Sequence, residues 1–117
     1  MKPLFGVYAR PHLVGVAGAG MEALARLLAG MGCAVSGTDA RASEVLRALQ
    51  EDGMDVQEGH AIGAVRQADL VVYSGAVPAD NPELRYARDA GVTLVSRARL
   101  LGALSRQRLT IGVAGSH

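Results

Sequence analysis

HLVGVAGAGMEALARLLAGMGCAVSGTD, from His12 to Asp39, reads as strand, glycine turn, helix, strand and acid. Leu13 to Val16 form a short apolar, partly β-branched run of the kind buried on both faces of a parallel sheet. Gly15, Gly18 and Gly20 follow at a spacing that lets the chain bend, lets backbone approach a ligand and lets the next helix pack against the strand. Met21, Leu24, Ala25, Leu28 and Met31 recur at helical spacing, and Gly32 is placed to end that helix. The helix start therefore points at the turn, where its N–H groups and partial positive charge suit a phosphate or diphosphate. Val35 to Gly37 are the second strand, with Asp39 at its carboxyl end. An acid about 20 residues past the glycines can accept hydrogen bonds from ribose hydroxyls.

The same alternation runs through the rest of the chain. Ser43 is placed to cap a helix with Val45, Leu46 and Leu49 inward and Gly53 at its end, before a brief strand over Asp55 to Gln57. Ala61 to Gln67 suit a short helix, and Leu70 to Tyr73 a fully buried strand. Asn81 and Pro82 open a helix with Leu84, Ala87 and Ala90 inward and Gly91 as its stop. Thr93 to Val95 are a fifth strand, Arg97 to Leu104 a last helix with Leu100, Leu101 and Leu104 inward, and Leu109 to Val113 a sixth strand. This order predicts an α/β fold: a Rossmann-like, doubly wound, mainly parallel sheet of five to six strands with helices on both faces. Residues 1–11 read as a lead-in and 12–117 as one domain.

Composition narrows the function. Half of the 117 residues are hydrophobic, enough for one sizeable core. Twelve basic against eleven acidic residues, without a basic block, argue against a nucleic-acid partner, and Phe5, Tyr8, Tyr73 and Tyr86 are too scattered to stack bases. No apolar run approaches a membrane span, and residues 1–10 lack the apolar centre of a signal peptide. The lone Cys33 has no disulfide partner and no metal-ligand spacing around it, which suits a reducing cytoplasm; it is expected to pack as a small apolar group.

In a parallel sheet the ligand lies beyond the carboxyl ends of the strands. Gly18, Ala19, Gly20, Met21, Asp39, His60 and the Ser74-Gly75-Ala76-Val77 loop all follow predicted strands and are the candidate substrate site. Each has a plainer reading: tight packing for the glycines, a turn cap for Asp39, an exposed loop residue for His60 and a strand end for Ser74 and Gly75. Arg97, Arg99, Arg106 and Arg108 read as solvated surface charges. No nucleophile is paired with a base and no pair of catalytic carboxylates stands out, so the pattern is a binding site without a reaction centre. Gly18-x-Gly20-x-x-Ala23 also fits the fingerprint of an NAD-binding module of an oxidoreductase, and a regulatory nucleotide sensor is a third reading.

GVAGAGMEALARLL at Gly15 to Leu28 resembles the glycine loop of the Mur ligases, and within them the alanine-adding branch, whose pattern is close to GIGGxGMSGIAxxL. SGTD at Ser36 to Asp39 is similar to that family's SGSD, Gly59-His60 to the start of GHxxxN, and SGAVPADNPE at Ser74 to Glu83 to SSAIxxxNPE. SRARLLGAL at Ser96 to Leu104 resembles RAEMLxEL, and IGVAGSH at Ile111 to His117 the approach to the ATP loop AGTHGKTT. The departures are Ala17 for a glycine, Glu22-Ala23 for Ser-Gly, Thr38 for a serine, Ala64 for the asparagine and Gly75 for a serine. The resemblance implies the first domain of a three-domain ligase of cytoplasmic peptidoglycan synthesis, cut just before the ATP loop and inactive alone. It implies UDP-N-acetylmuramate as substrate, no cofactor in this domain, ATP and magnesium in the full-length enzyme, and the central and C-terminal domains as partners. By the same resemblance Gly18 to Met21 offer backbone donors to the diphosphate, Asp39 takes the ribose hydroxyls, and His60 with the Ser74 to Val77 loop borders the uridine.

Overall fold

The computed structural model describes residues 8–105. Its five strands are β1 (Pro11–Val14), β2 (Ser36–Asp39), β3 (Asp55–Glu58), β4 (Leu70–Tyr73) and β5 (Thr93–Ser96), all parallel in the order β3-β2-β1-β4-β5. The helices are α1 (Met21–Gly30), α2 (Glu44–Glu51), α3 (Ile62–Gln67), α4 (Pro82–Ala90) and α5 (97–105). Strand order reverses at β1, which pairs with β2 on one side and β4 on the other. The doubly wound, parallel Rossmann-like sheet is thus as expected; the sixth strand, Leu109 to Val113, lies outside the described residues.

Alternate residues of β4 show why helices cover both faces. Leu70 and Val72 join Leu13, Leu24, Leu28, Leu49, Leu100 and others in a core beneath α1, α2 and α5. Val71 joins Val14, Val65, Leu84 and Ala87 beneath α3 and α4 on the opposite face. Cys33 is half-buried against the first core, as a small apolar group should be.

Strand and helix ends moved for identifiable reasons. β1 spans Pro11–Val14, not Leu13 to Val16. The Asp69 carboxylate accepts from the Ala9 and Arg10 N–H groups at 2.7 and 2.9 Å, which aligns the entering chain with β4. At the other end Gly15, with φ 81°, turns the chain out of the strand. Val16 is nonetheless fully buried, packed on Gly37, so its apolar character reports the core and not the strand. β2 likewise begins after Val35 and runs to Asp39.

Met31 was expected inward and is exposed, because α1 stops at Gly30. Cys33 N–H donates to Leu28 O and Gly32 N–H to Ala29 O, a Schellman closure that needs the φ of 95° found at Gly32. Ala90 is also exposed. The inward face of α4 is set at its start by Glu83, Leu84 and Ala87, and its last residue runs past the core.

Candidate functional site

After β1 the chain folds back over β2: the Gly15 and Val16 N–H groups both donate to Thr38 O at 2.9 Å. Gly18 N–H donates to Gly15 O and Met21 N–H to Gly18 O, so two of the expected backbone donors are engaged within the turn itself. The N–H groups of Ala19 and Gly20 find no acceptor among the described residues. Met21 is fully buried, and its side chain anchors the helix in the core.

Gly20 caps α1 in the left-handed conformation, φ 79°, with no side-chain hydrogen bond to the first turn. A Cβ there would lie 2.9 Å from Arg97 Nη1 and 3.2 Å from its Cζ. The guanidinium of Arg97, the first residue of α5, therefore lies against the glycine turn. It is half-buried, not the freely solvated charge the sequence suggested. A cation beside a helix N-terminus, with N–H groups that find no acceptor among the described residues, suits an anion by charge and by hydrogen-bond direction together.

Asp39, at the end of β2, accepts from Ala17 N–H through Oδ2 at 3.0 Å and from Arg41 N–H through Oδ1 at 3.2 Å. It does act as a turn cap and so fixes the glycine turn relative to β2. Each oxygen keeps a further acceptor site, so capping leaves room for hydroxyl donors.

Between the ends of β1, β2 and β4 opens a crevice of about 410 Å³. It brings together Gly18, Asp39, His60, Ser74, Ala76 and Val77 of the expected site. Ala19, Gly20 and Gly75 are not in its lining; the first two are exposed at the turn and Gly75 is exposed on its loop. Ser74 is buried, its N–H on Val14 O and its carbonyl accepting from Val77 N–H, which closes the 74–77 turn beside Gly15. A second concavity of about 330 Å³ at the amino ends of the strands, around Arg10, Cys33 and Met54, carries none of these motif residues.

Under the crevice lies a buried polar network that sequence reading missed. His12 and Glu83 are both fully buried, with His12 Nε2 2.7 Å from Glu83 Oε2 and His12 Nδ1 2.7 Å from Ser36 Oγ. Thr38 Oγ1 donates to both Glu83 oxygens at 2.8 and 2.9 Å, and Ala61 N–H donates to Oε2 at 3.3 Å. His60 Nδ1 lies 3.3 Å from Oε1. Burial alone would raise the Glu83 pKa. Hydrogen bonds from His12 and Thr38, the charge of His12 and the bond from His60 outweigh it and hold the carboxyl below its ordinary value. Among the described residues no group of three or more His, Cys, Asp or Glu side chains is arranged for a metal ion, and no helix is long and apolar enough to cross a membrane.

A doubly wound sheet with a glycine turn, an acid after β2 and a crevice at the reversal of strand order defines a Rossmann-like nucleotide-binding domain. Residues 10–109 match the Mur ligase family, catalytic domain. The chain belongs to the Mur ligase family. It is 42% identical over 117 residues to UDP-N-acetylmuramate–L-alanine ligase of Salinibacter ruber, covering 99% of this chain and 25% of that protein. It is 47% identical to the enzyme of the same name from Thermobifida fusca, over 92% of this chain and 23% of that one. Among solved structures, UDP-N-acetylmuramate–alanine ligase from Thermotoga maritima superposes with a TM-score of 0.77 at 31% identity, over 83% of this chain and 23% of that one. The chain thus spans about a quarter of the length of the curated relatives it matches.

Proposed function

We propose that the chain is the substrate-nucleotide domain of an ATP-dependent ligase that joins L-alanine to UDP-N-acetylmuramate, in the cytoplasmic stage of peptidoglycan synthesis. The observation that carries this reading is the placement of Arg97 against Gly20 at the mouth of α1, beside a crevice edged by Asp39. A diphosphate there meets a cation, a helix N-terminus and the N–H groups of Ala19 and Gly20. The ribose hydroxyls lie within reach of the remaining lone pairs of Asp39, and the base extends toward His60 and the 74–77 turn. The relatives' names supply the sugar nucleotide and the amino acid.

The work of this domain is to bind and orient. A chain that spans about a quarter of its relatives' length is expected to be inactive alone. The central and C-terminal domains implied by the longer relatives bring ATP and magnesium, which supply activation of the muramate carboxyl for attack by the alanine amine. The chain's own residues fix the nucleotide end, so that this carboxyl projects toward those domains.

Calorimetric titration with UDP-N-acetylmuramate, UDP-N-acetylglucosamine and NAD tests the reading. Saturable binding of the uridine nucleotides and none of NAD is expected, with Asp39→Ala and Arg97→Ala each weakening affinity by about tenfold or more. Binding of NAD in preference to the uridine nucleotides overturns it.

A further inference from the structure

Nothing in the proposed binding of diphosphate and ribose uses Glu83, yet its carboxylate is fully buried and accepts from four separate groups. Burying a carboxylate is costly unless it is fully bonded. The carboxylate's bonds run to three segments: His12 in β1, Thr38 near the end of β2, and His60 and Ala61 in the turn after β3, while Asn81 caps the start of α4 that carries Glu83. Of the side chains that bond the carboxylate, His12 and Thr38 are buried, whereas that of His60 is 45% exposed and lines the crevice.

An ionised carboxylate accepts and never donates. The ring nitrogen that faces it must therefore carry the hydrogen, which makes His60 an Nδ1–H donor to Oε1. In the neutral ring the lone pair is then left on Nε2, the nitrogen on the far side from Glu83. We infer that Glu83 is a positioning residue: its buried carboxylate holds His60 in the Nδ1–H tautomer, so that Nε2 meets the bound nucleotide as a hydrogen-bond acceptor. The inference rests on the nucleotide-binding reading above and adds a selection to it, for a ligand that offers an N–H or O–H donor at this edge. The imide N–H of uracil and the ribose hydroxyls both have that chemistry.

The tautomer can be read without any ligand. Long-range proton–nitrogen correlation spectra of the 117-residue chain, at a pH where the rings are neutral, are expected to show His60 protonated on Nδ1 in the wild type and moved toward Nε2–H in Glu83→Gln. A wild-type His60 protonated on Nε2 overturns the inference, whether or not Glu83→Gln folds. Titrations with UDP, its N3-methyl analogue and its 2′,3′-dideoxy analogue then identify the donor. The analogue lacking it is expected to bind wild type about tenfold more weakly than UDP, and that penalty is expected to shrink in His60→Ala, where only the bonds of the ribose hydroxyls to Asp39 remain. If neither analogue's penalty depends on His60, the acceptor role fails. If UDP does not bind the wild type while the Nδ1–H tautomer is present, it is the nucleotide reading that fails and the positioning by Glu83 that stands.

Discussion

Glu83 makes the fold sensitive to acid. Its carboxyl is held below its ordinary value in the folded chain, chiefly by His12 and Thr38 against the opposing effect of burial. The unfolded chain releases the same proton near pH 4.3. The folded state therefore binds fewer protons than the unfolded one in the intervening window. The stabilisation is complete above about pH 4.3 and is lost as pH falls through the folded-state value. Urea midpoints taken from pH 7 down to pH 3 should fall steeply at the acid end for wild type. In Glu83→Gln the midpoint should be lower at neutral pH and its acid decline shallower.

Gly20 gives a second residue-level outcome. Alanine there must adopt a φ near 79° and place its Cβ 2.9 Å from Arg97 Nη1. Gly20→Ala is expected to cost about 1 kcal/mol or more in denaturant unfolding, and to weaken nucleotide binding as the guanidinium is displaced. Gly20 was legible in the sequence because the turn has a local spacing. Its partner was not, because nothing near Arg97 says that α5 will begin at the mouth of α1. The same applies below the crevice, where His12 meets Ser36 24 residues away and Glu83 71 residues away. Such a network has no period and no motif; only the parallel register of β1 and β2 and the docking of α4 assemble it.

The elements were far more readable than the contacts between them. Ser43 Oγ accepts from Leu46 N–H at 3.1 Å, and Asn81 Oδ1 from Glu83 N–H at 2.8 Å and Leu84 N–H at 3.3 Å, the capping geometry that both sequences announce. Ser43→Ala and Asn81→Ala are each expected to lower stability by about 1 kcal/mol. Asn81→Ala should also perturb the His60 resonances, because Asn81 fixes the helix start that carries Glu83; Ser43→Ala should leave them alone. Strand ends were less readable: hydrophobic runs mark burial, whereas β1 ends where Gly15 turns and begins where Asp69 grips the entering backbone.

At the scale of the whole molecule, a nucleotide bound as proposed would span the glycine turn, the end of β2, the 59–61 turn and the 74–77 turn. A ligand that binds only the folded form raises stability by roughly 2.7 kcal/mol at a hundred times its dissociation constant. For a chain of this size that is a rise in Tm on the order of 10 °C. UDP-N-acetylmuramate should produce such a shift in calorimetry, and NAD should leave Tm unchanged.

The position of β1 has a consequence for how the protein comes into being. Among the described residues it is the first strand along the chain and the middle strand of the sheet, flanked by β2 and β4. Pro11 aligns with Leu70, so during synthesis at 5–20 residues per second β1 waits roughly 3–12 s for its second neighbour to be made. Throughout that interval one edge of a wholly buried strand is unclaimed. The nascent polypeptide is then most vulnerable to pairing with a stranger, and a chaperone that shields residues 11–14 has the most to protect.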